Sequence, residues 1–279
     1  MKKQVAIQGI IGSYHEIAAR KFFREENIDI IGCGTFCDVI LTVKRQPDIL
    51  GVMAIENTIA GSLLQNHELV RKSGLTVIGE YKLRISHCLA ALPGTSIEDV
   101  MSIGSHPMAL MQCETFLSTL HSVQIIEKED TATSARQIAE QHLERQAAIC
   151  SREAAQIYGL EILAEAVETN KHNFTRFLVL ATSDFSALAD KEKSKASIVF
   201  ALPHTIGSLS QVLAVLSFYS MNLSKIQSFP MIGTAWEYLF YVDLTFADYS
   251  RYKKALDAIL PLTKNLRILG EYKEFTQPQ

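Results

Sequence analysis

Residues 4–25 read QVAIQGIIGSYHEIAARKFFRE, and the change of period inside this stretch decides the fold. An apolar run over 4–10 ends in a turn carrying Gly9 and Gly12, and a helical pattern follows over 14–25. The two glycines permit a tight strand-to-helix turn. Ser13 and Glu16 stand at capping-box spacing, so the helix starts there. Free N–H groups and the dipole at such a start attract an anion. The spacing lacks Gly-x-Gly-x-x-Gly, so it is no dinucleotide fingerprint.

The alternation continues outward. Strands are predicted over 28–31 and 50–55, with helices over 37–45 and 62–72, the latter stopped by Gly74. A second set follows: strand 82–91, helix 105–120, strand 124–127, helix 133–141, strand 147–150, helix 152–158 and strand 174–181. Such alternation argues for parallel α/β sheets. The expectation is two α/β lobes around a cleft, lobe 1 about 1–80 and 166–185, lobe 2 about 81–165. Residues 186–194 are polar, without amphipathic period, and read as a linker. From 195 to 279 the order becomes strand 196–201, helix 209–219, strands 222–228 and 237–246 about a turn at 230–234, helix 249–260 and strand 266–272. That is βαββαβ, the ferredoxin-like unit.

Composition narrows the function. Of 279 residues, 27 are Lys or Arg and 30 are Asp or Glu, a net charge of −3. No basic surplus exists to neutralise a nucleic acid. No stretch approaches the ~18 apolar residues that span a bilayer, and the N-terminal apolar run is too short for a signal-peptide core. The expectation is a soluble, cytoplasmic protein with no nucleic-acid or membrane partner. Five cysteines without a Cys-x-x-Cys read as small buried hydrophobes. No paired Cys/His spacing suggests zinc, so neither metal nor cofactor is expected.

Polar clusters fall at strand-to-helix junctions, where α/β sheets bind ligands. One is Glu56-Asn57-Thr58-Ile59-Ala60-Gly61-Ser62. Another is Gly104-Ser105-His106-Pro107, with Ser105 read as N-cap and Pro107 in the first turn. A third is Asp130-Thr131-Ala132-Thr133-Ser134. The last, Asn173-Phe174-Thr175-Arg176-Phe177, opens an otherwise apolar strand. Thr175 and Arg176 face opposite sides of it. An arginine in such a run must be paired, so Arg176 braces a carboxylate of the protein or of a substrate. The set suits a small polyanion held by N–H groups, hydroxyls and a guanidinium.

The same residues resemble prephenate dehydratase of the monofunctional type with a C-terminal ACT domain. The carriers are Gly9-x-x-Gly12-Ser13-Tyr14, Glu56-Asn57-Thr58-x-x-Gly61-Ser62, Ser105-His106-Pro107-x-Ala109-Leu110-x-Gln112-Cys113, Asp130-Thr131-Ala132 and Asn173-x-Thr175-Arg176-Phe177. They cover nearly the whole chain in the family's order. The chain departs at Met108, where the family has Gln. It also has Gly207-Ser208-Leu209 for Gly-Ala-Leu, and Gln227-Ser228-Phe229-Pro230 for Glu-Ser-Arg-Pro. The last change removes two charges where the family binds phenylalanine.

The resemblance implies a two-lobed, periplasmic-binding-protein-like catalytic domain over 1–185 and an ACT regulatory domain over 195–279. It implies loss of water and carbon dioxide from prephenate to give phenylpyruvate, without a cofactor. Thr175 and Arg176 then carry catalysis. Ser13, Tyr14, Asn57, Ser105, His106, Thr131, Ala132 and Phe177 bind substrate, with Phe177 walling out water. Gly207, Ser208, Leu209, Asn222 and Ser228 bind the effector, L-phenylalanine, in a homodimer or homotetramer. Two alternatives stand beside this: a non-catalytic two-lobed anion receptor, and arogenate dehydratase, whose substrate bears an ammonium in place of a keto oxygen.

Overall fold

The computed structural model describes residues 2–24, 27–183, 192–230 and 238–276. Its opening stretch forms β1 (Lys3–Gln8) and α1 (Tyr14–Phe22). Val5, Ala6 and Ile7 are all buried, as in a strand covered on both faces. Gly9 and Gly12 take φ of 98° and 90°. A Cβ at Gly12 would lie 2.9 Å from Ala154 Cα, so the turn needs glycine for room as well as for conformation.

The chain continues through β2 (Ile28–Cys33), α2 (Phe36–Arg45), β3 (Ile49–Asn57), β4 (Gly61–Ser62), α3 (Leu64–Ser73), β5 (Thr76–Arg84), β6 (Cys88–Ala91) and β7 (Ser102–Ser105). Next come α4 (Pro107–Gln112), α5 (Glu114–Leu117), β8 (Gln124–Glu127), α6 (Thr131–Gln141), β9 (Gln146–Cys150), α7 (Arg152–Ile157), β10 (Glu161–Ala164) and β11 (Phe174–Ala181). The last elements are β12 (Lys195–Leu202), α8 (Ser208–Phe218), β13 (Asn222–Pro230), β14 (Tyr238–Thr245), α9 (Tyr249–Ile259) and β15 (Lys264–Tyr272). Among the described residues these strands form three sheets, in the orders β2-β1-β3-β11-β5 with β4 on β3, β10-β6-β9-β7-β8, and β13-β14-β12-β15.

By packing, the chain forms two units, one of Met1–Val39, Val52–Gly61 and Lys82–Phe177, the other of Ile40–Gly51, Ser62–Tyr81 and Leu178–Gln279. In the first, the β6–β9 pair buries Ala132, Ala135, Ile138 and Ala154 on one face. Ile103, Ala109, Leu110 and Val167 fill the other. In the second, α8 and α9 cover one face of the antiparallel β12–β15 sheet with Val212, Leu216 and Tyr252 around Phe200. The opposite face meets the 62–81 segment. There the buried Lys195 Nζ lies 2.9 Å from Glu80 Oε1. Tyr241 OH donates to Glu68 at 2.8 Å.

Several expectations need correction. The predicted strand 82–91 is two strands. The ladder breaks because Ile85 N–H donates to Asn173 O at 2.8 Å and His87 N–H to the Glu168 carboxylate at 2.9 Å. The second sheet is mixed: β7 pairs parallel with β8 and β9, whereas β6 pairs antiparallel with β9 and β10. The helix predicted over 105–120 starts two residues later and breaks at Cys113. Ser62 belongs to β4, not to a helix. Cys37 is exposed, unlike the other four cysteines. Residues 184–185 of the first lobe, 186–191 of the predicted linker, 231–234 of the predicted turn, Glu237 of the predicted strand 237–246 and Glu25 lie outside the described residues.

Candidate active site

Neighbouring strands β3 and β11 present two residues each to opposite faces. On one face Arg176 Nε meets Glu56 Oε1 at 2.7 Å. Arg176 is 4% exposed, so the ion pair answers the burial cost of its charge. On the other face Asn57 Nδ2 donates to Thr175 Oγ1 at 2.9 Å and to Asn173 Oδ1 at 2.7 Å. Alternation along a strand fixes this sorting: Asn57, Asn173 and Thr175 share a face, and Glu56 and Arg176 share the other.

Asn57 is itself held. Its Oδ1 accepts the backbone N–H groups of Ile59 and Ala60, each at 2.9 Å, in an Asx turn. Beyond Asn173 the network continues inward. Asn173 Nδ2 donates to Gln112 Oε1 at 2.8 Å. His87 Nε2 stands 3.0 Å from the same oxygen. His87 Nδ1 stands 2.8 Å from Tyr14 OH, which also donates to Ser86 O at 2.7 Å. Burial, only partly offset by the Gln112 hydrogen bond and the Glu168 charge, lowers the His87 pKa and keeps the ring neutral. Burial likewise raises the Tyr14 pKa, so its phenol stays protonated.

Tyr14, Asn57 and Thr175, all named from the sequence, are thus joined through His87, Gln112 and Asn173, to which no role was assigned there. The available signal was a histidine in the apolar run 85–92 and two amides inside quoted motifs. Such groups are buried only with partners.

Other named residues sit differently. Ser13 Oγ caps α1 by accepting Glu16 N–H at 3.4 Å. The seat expected for an external anion is taken by the protein, because the Glu16 carboxylate accepts Gly12 N–H and pairs with Arg20 at 2.8 Å. Ser105 ends β7 and is fully buried, its Oγ donating to Ile149 O at 2.6 Å. The N-cap is His106, whose Nδ1 accepts Met108 N–H at 3.1 Å. Asp130 caps α6 through Thr133 N–H at 2.8 Å, putting a carboxylate where Thr131 and Ala132 were to meet one. Among the described residues no hydrogen bond joins Ser105, His106 or Thr131 to the Asn57 network. Phe177 is buried edge-on against the His15 ring at 5.0 Å, so it backs the strand instead of facing water.

In the second unit Gly207 takes φ of 83° at the start of α8. Leu202, before this turn, pairs with Tyr238, which pairs with Pro230. The turn and Ser228 therefore share one end of the sheet. Asn222 pairs with Thr245 at the other end. Six residues of extended strand separate Asn222 from Ser228, roughly 20 Å. Within one chain the two residues therefore lie towards opposite ends of β13.

A family model described as prephenate dehydratase matches residues 5–184. The chain belongs to that family. Arogenate dehydratase 2 of Petunia hybrida is 38% identical over 285 residues, covering 96% of this chain and 71% of that protein. A prephenate dehydratase from Arthrobacter aurescens, solved in complex with L-Phe, superposes with a TM-score of 0.86 at 26% identity, covering 97% of this chain and 90% of that one. A solved protein described as GqqA, a novel type of quorum-quenching acylase, also reaches 0.86 at 27% identity over 98% of both chains. The expected family and two-lobed fold class are therefore correct, and the chain is a dehydratase.

Proposed function

We propose that this dehydratase converts prephenate to phenylpyruvate at the Asn57–Thr175 face. In that reaction the C–C bond to the ring carboxylate breaks and its electron pair enters the ring. Hydroxide leaves the opposite ring carbon, takes up a proton and departs as water, and carbon dioxide is released. Aromatisation drives the step, and the barrier is departure of the hydroxide. The observation that carries the reading is the Asn57 Nδ2–Thr175 Oγ1 hydrogen bond. Because Oγ1 accepts from the amide, the threonine's own hydrogen is directed away from Asn57, free to donate to the departing oxygen. A threonine hydroxyl is too weak an acid to give up its proton unaided, so its role is donor and positioner. Losing such a donor costs ~10²–10³ in rate.

Arg176 acts through Glu56, fixing the two strands from behind, and Tyr14 contributes the far end of the network. Acyl transfer fits less well. A hydroxyl nucleophile needs an adjacent base, and Thr175 meets only an amide donor among the described residues. The test is appearance of phenylpyruvate from prephenate, with arogenate in a parallel arm. Turnover of prephenate with Thr175→Val at least 100-fold slower supports the reading. Near-normal Thr175→Val, or no turnover of prephenate, overturns it. Turnover of arogenate alone makes the chain an arogenate dehydratase, the reading favoured by the Petunia relative.

The domain limits that fit this function are 1–185 for catalysis, a linker at 186–194 and an ACT module over 195–279. L-phenylalanine is its effector, as suggested by the L-Phe complex of the Arthrobacter protein. Gly207, Ser208, Leu209 and Ser228 share the sheet end that would receive it. The assembly is a homodimer or homotetramer and the location cytoplasmic; no helix among the described residues is long and apolar enough to cross a membrane. Phenylalanine inhibits if it binds the less active state more tightly. Titration that gives neither heat nor inhibition overturns the effector assignment.

A further inference from the structure

The hydrogen-bond network behind Thr175 has a direction, and its direction can be worked out from one fixed end. The Ile59 and Ala60 backbone N–H groups can only donate, so the Asn57 atom they meet at 2.9 Å is the oxygen. The Asn57 nitrogen therefore faces β11 and donates to Asn173 Oδ1 and Thr175 Oγ1. With its oxygen so occupied, Asn173 turns its nitrogen to Gln112, which must accept through Oε1. His87 Nε2 faces that same oxygen at 3.0 Å and so must carry a hydrogen. In the neutral ring Nδ1 is then an acceptor, and the single hydrogen of Tyr14 OH, 2.8 Å away, is shared between it and Ser86 O at 2.7 Å.

Gln112 Oε1 thus receives two donors, from Asn173 and from His87. Those two bonds lock the amide, with His87 2% exposed and Asn173 fully buried. His87 is also anchored at its backbone by Glu168, which accepts its N–H at 2.9 Å.

We infer that His87 is a positioning residue for the dehydration, its Nε2–H fixing Gln112, Asn173 and Asn57 so that Thr175 presents its hydrogen to the departing oxygen. This rests on the assignment of Thr175 above. Nothing in it requires His87 to touch substrate or exchange a proton. Without the Nε2–H donor the Gln112 amide is free to reverse. Asn173 then loses its acceptor, Asn57 loses its brace, and Thr175 loses its fixed orientation. A misplacement of that kind, of order 1 Å at the reacting group, costs up to ~10²-fold in rate.

The experiment compares His87→Phe, His87→Gln, Thr175→Val and the double variant His87→Phe/Thr175→Val in the prephenate assay. Glutamine carries its amide N–H near the position of Nε2, whereas phenylalanine keeps the ring and removes the donor. The expected result for His87→Phe is a kcat lower by ~10–100-fold with KM changed less than threefold. His87→Gln recovers most of the loss. The double variant is no slower than Thr175→Val alone, because His87 acts through Thr175. His87→Phe with near-normal kcat, His87→Gln as slow as His87→Phe, or fully multiplicative losses in the double variant would each overturn the inference. If Thr175→Val is itself near normal, the catalytic assignment fails first, and that outcome is read separately from the His87 variants. Circular-dichroism melting of all four variants separates a folding defect from a lost orientation, and a His87→Phe protein that melts well below the others shifts the decision to the His87→Gln comparison.

Discussion

Lys225 Nζ lies 2.8 Å from His67 Nε2, and the same ring nitrogen lies 3.1 Å from Ser62 Oγ. The lysine belongs to β13, the histidine to α3, and the serine closes the loop that begins at Asn57. A strand of the C-terminal sheet is thereby hydrogen-bonded to a histidine that also holds Ser62, the last residue of that loop. If effector binding shifts β13, this contact is where the shift is felt. Lys225→Met is expected to raise the phenylalanine concentration for half inhibition by ~2–30-fold, the range for a lost coupling contact. Uninhibited kcat should stay within twofold. An unchanged inhibition curve would remove Lys225 from the coupling.

Lys195 and Glu80 form an ion pair at 2.9 Å with both side chains essentially sealed from water. Glu80 also accepts Phe275 N–H at 3.1 Å, which ties the chain after β15 to β5. Removing one partner of such a pair strands the other charge and costs about 3–5 kcal/mol. Lys195→Met should therefore lower the urea midpoint sharply, and Lys195→Met/Glu80→Leu should recover much of the loss. A single variant as stable as the parent would show that the carboxylate finds water or another cation.

The parts legible in the sequence were those where period and turn chemistry agree. The 4–25 stretch is one, with its glycines at positive φ and its serine cap. The βαββαβ order after residue 195 is another, because two helical stretches interrupt four strand-like runs there, although only β13 alternates its exposure and β12 is buried throughout. The pairing of Thr175 with Asn57 was half legible: strand alternation separates Thr175 from Arg176, but only the β3–β11 neighbourhood brings Asn57 alongside. The break at 85–87 was not legible. Ile85-Ser86-His87-Cys88 is apolar enough to read as one strand, and what interrupts it is Glu168, eighty-one residues further on from His87. The capping carboxylates Glu16 and Asp130 were missed as competitors for the anion sites, since the sequence shows a helix start without showing what already fills it.

Gly270 and Gly74 separate two costs of adding a methyl group. A Cβ at Gly270 would stand 2.0 Å from Val77 O, a backbone atom that cannot step aside. Gly74, at φ 79°, has nothing within 4 Å of its Cβ position and ends α3 in the left-handed conformation. Gly74→Ala is therefore expected to cost about 1 kcal/mol from backbone strain alone. Gly270→Ala is expected to cost about 3 kcal/mol or more, by overpacking and by lifting the β15 edge from residue 77. Equal melting temperatures for the two variants would contradict this ranking.

His15 gives the fold a pH dependence whose sign is fixed. Its ring lies 5.4 Å from Phe36 and 5.0 Å from Phe177, and its Nε2 accepts Ala54 N–H at 3.3 Å. Burial lowers its pKa from 6.5 to about 4, so the folded protein holds it neutral. The unfolded chain then binds more protons than the folded one between those two values, and stability falls as pH falls through that window. Above pH 6.5 the contribution is fully present; by pH 4 it is spent. A shift of this size corresponds to about 3 kcal/mol. Replacing His15 with Leu removes the titrating group while keeping an apolar side chain between the two rings. The variant should show a shallower slope of unfolding free energy against pH between 6.5 and 4, measured by urea denaturation at fixed temperature, with part of the slope left to the buried His87. A slope unchanged in His15→Leu would assign the acid sensitivity to other groups.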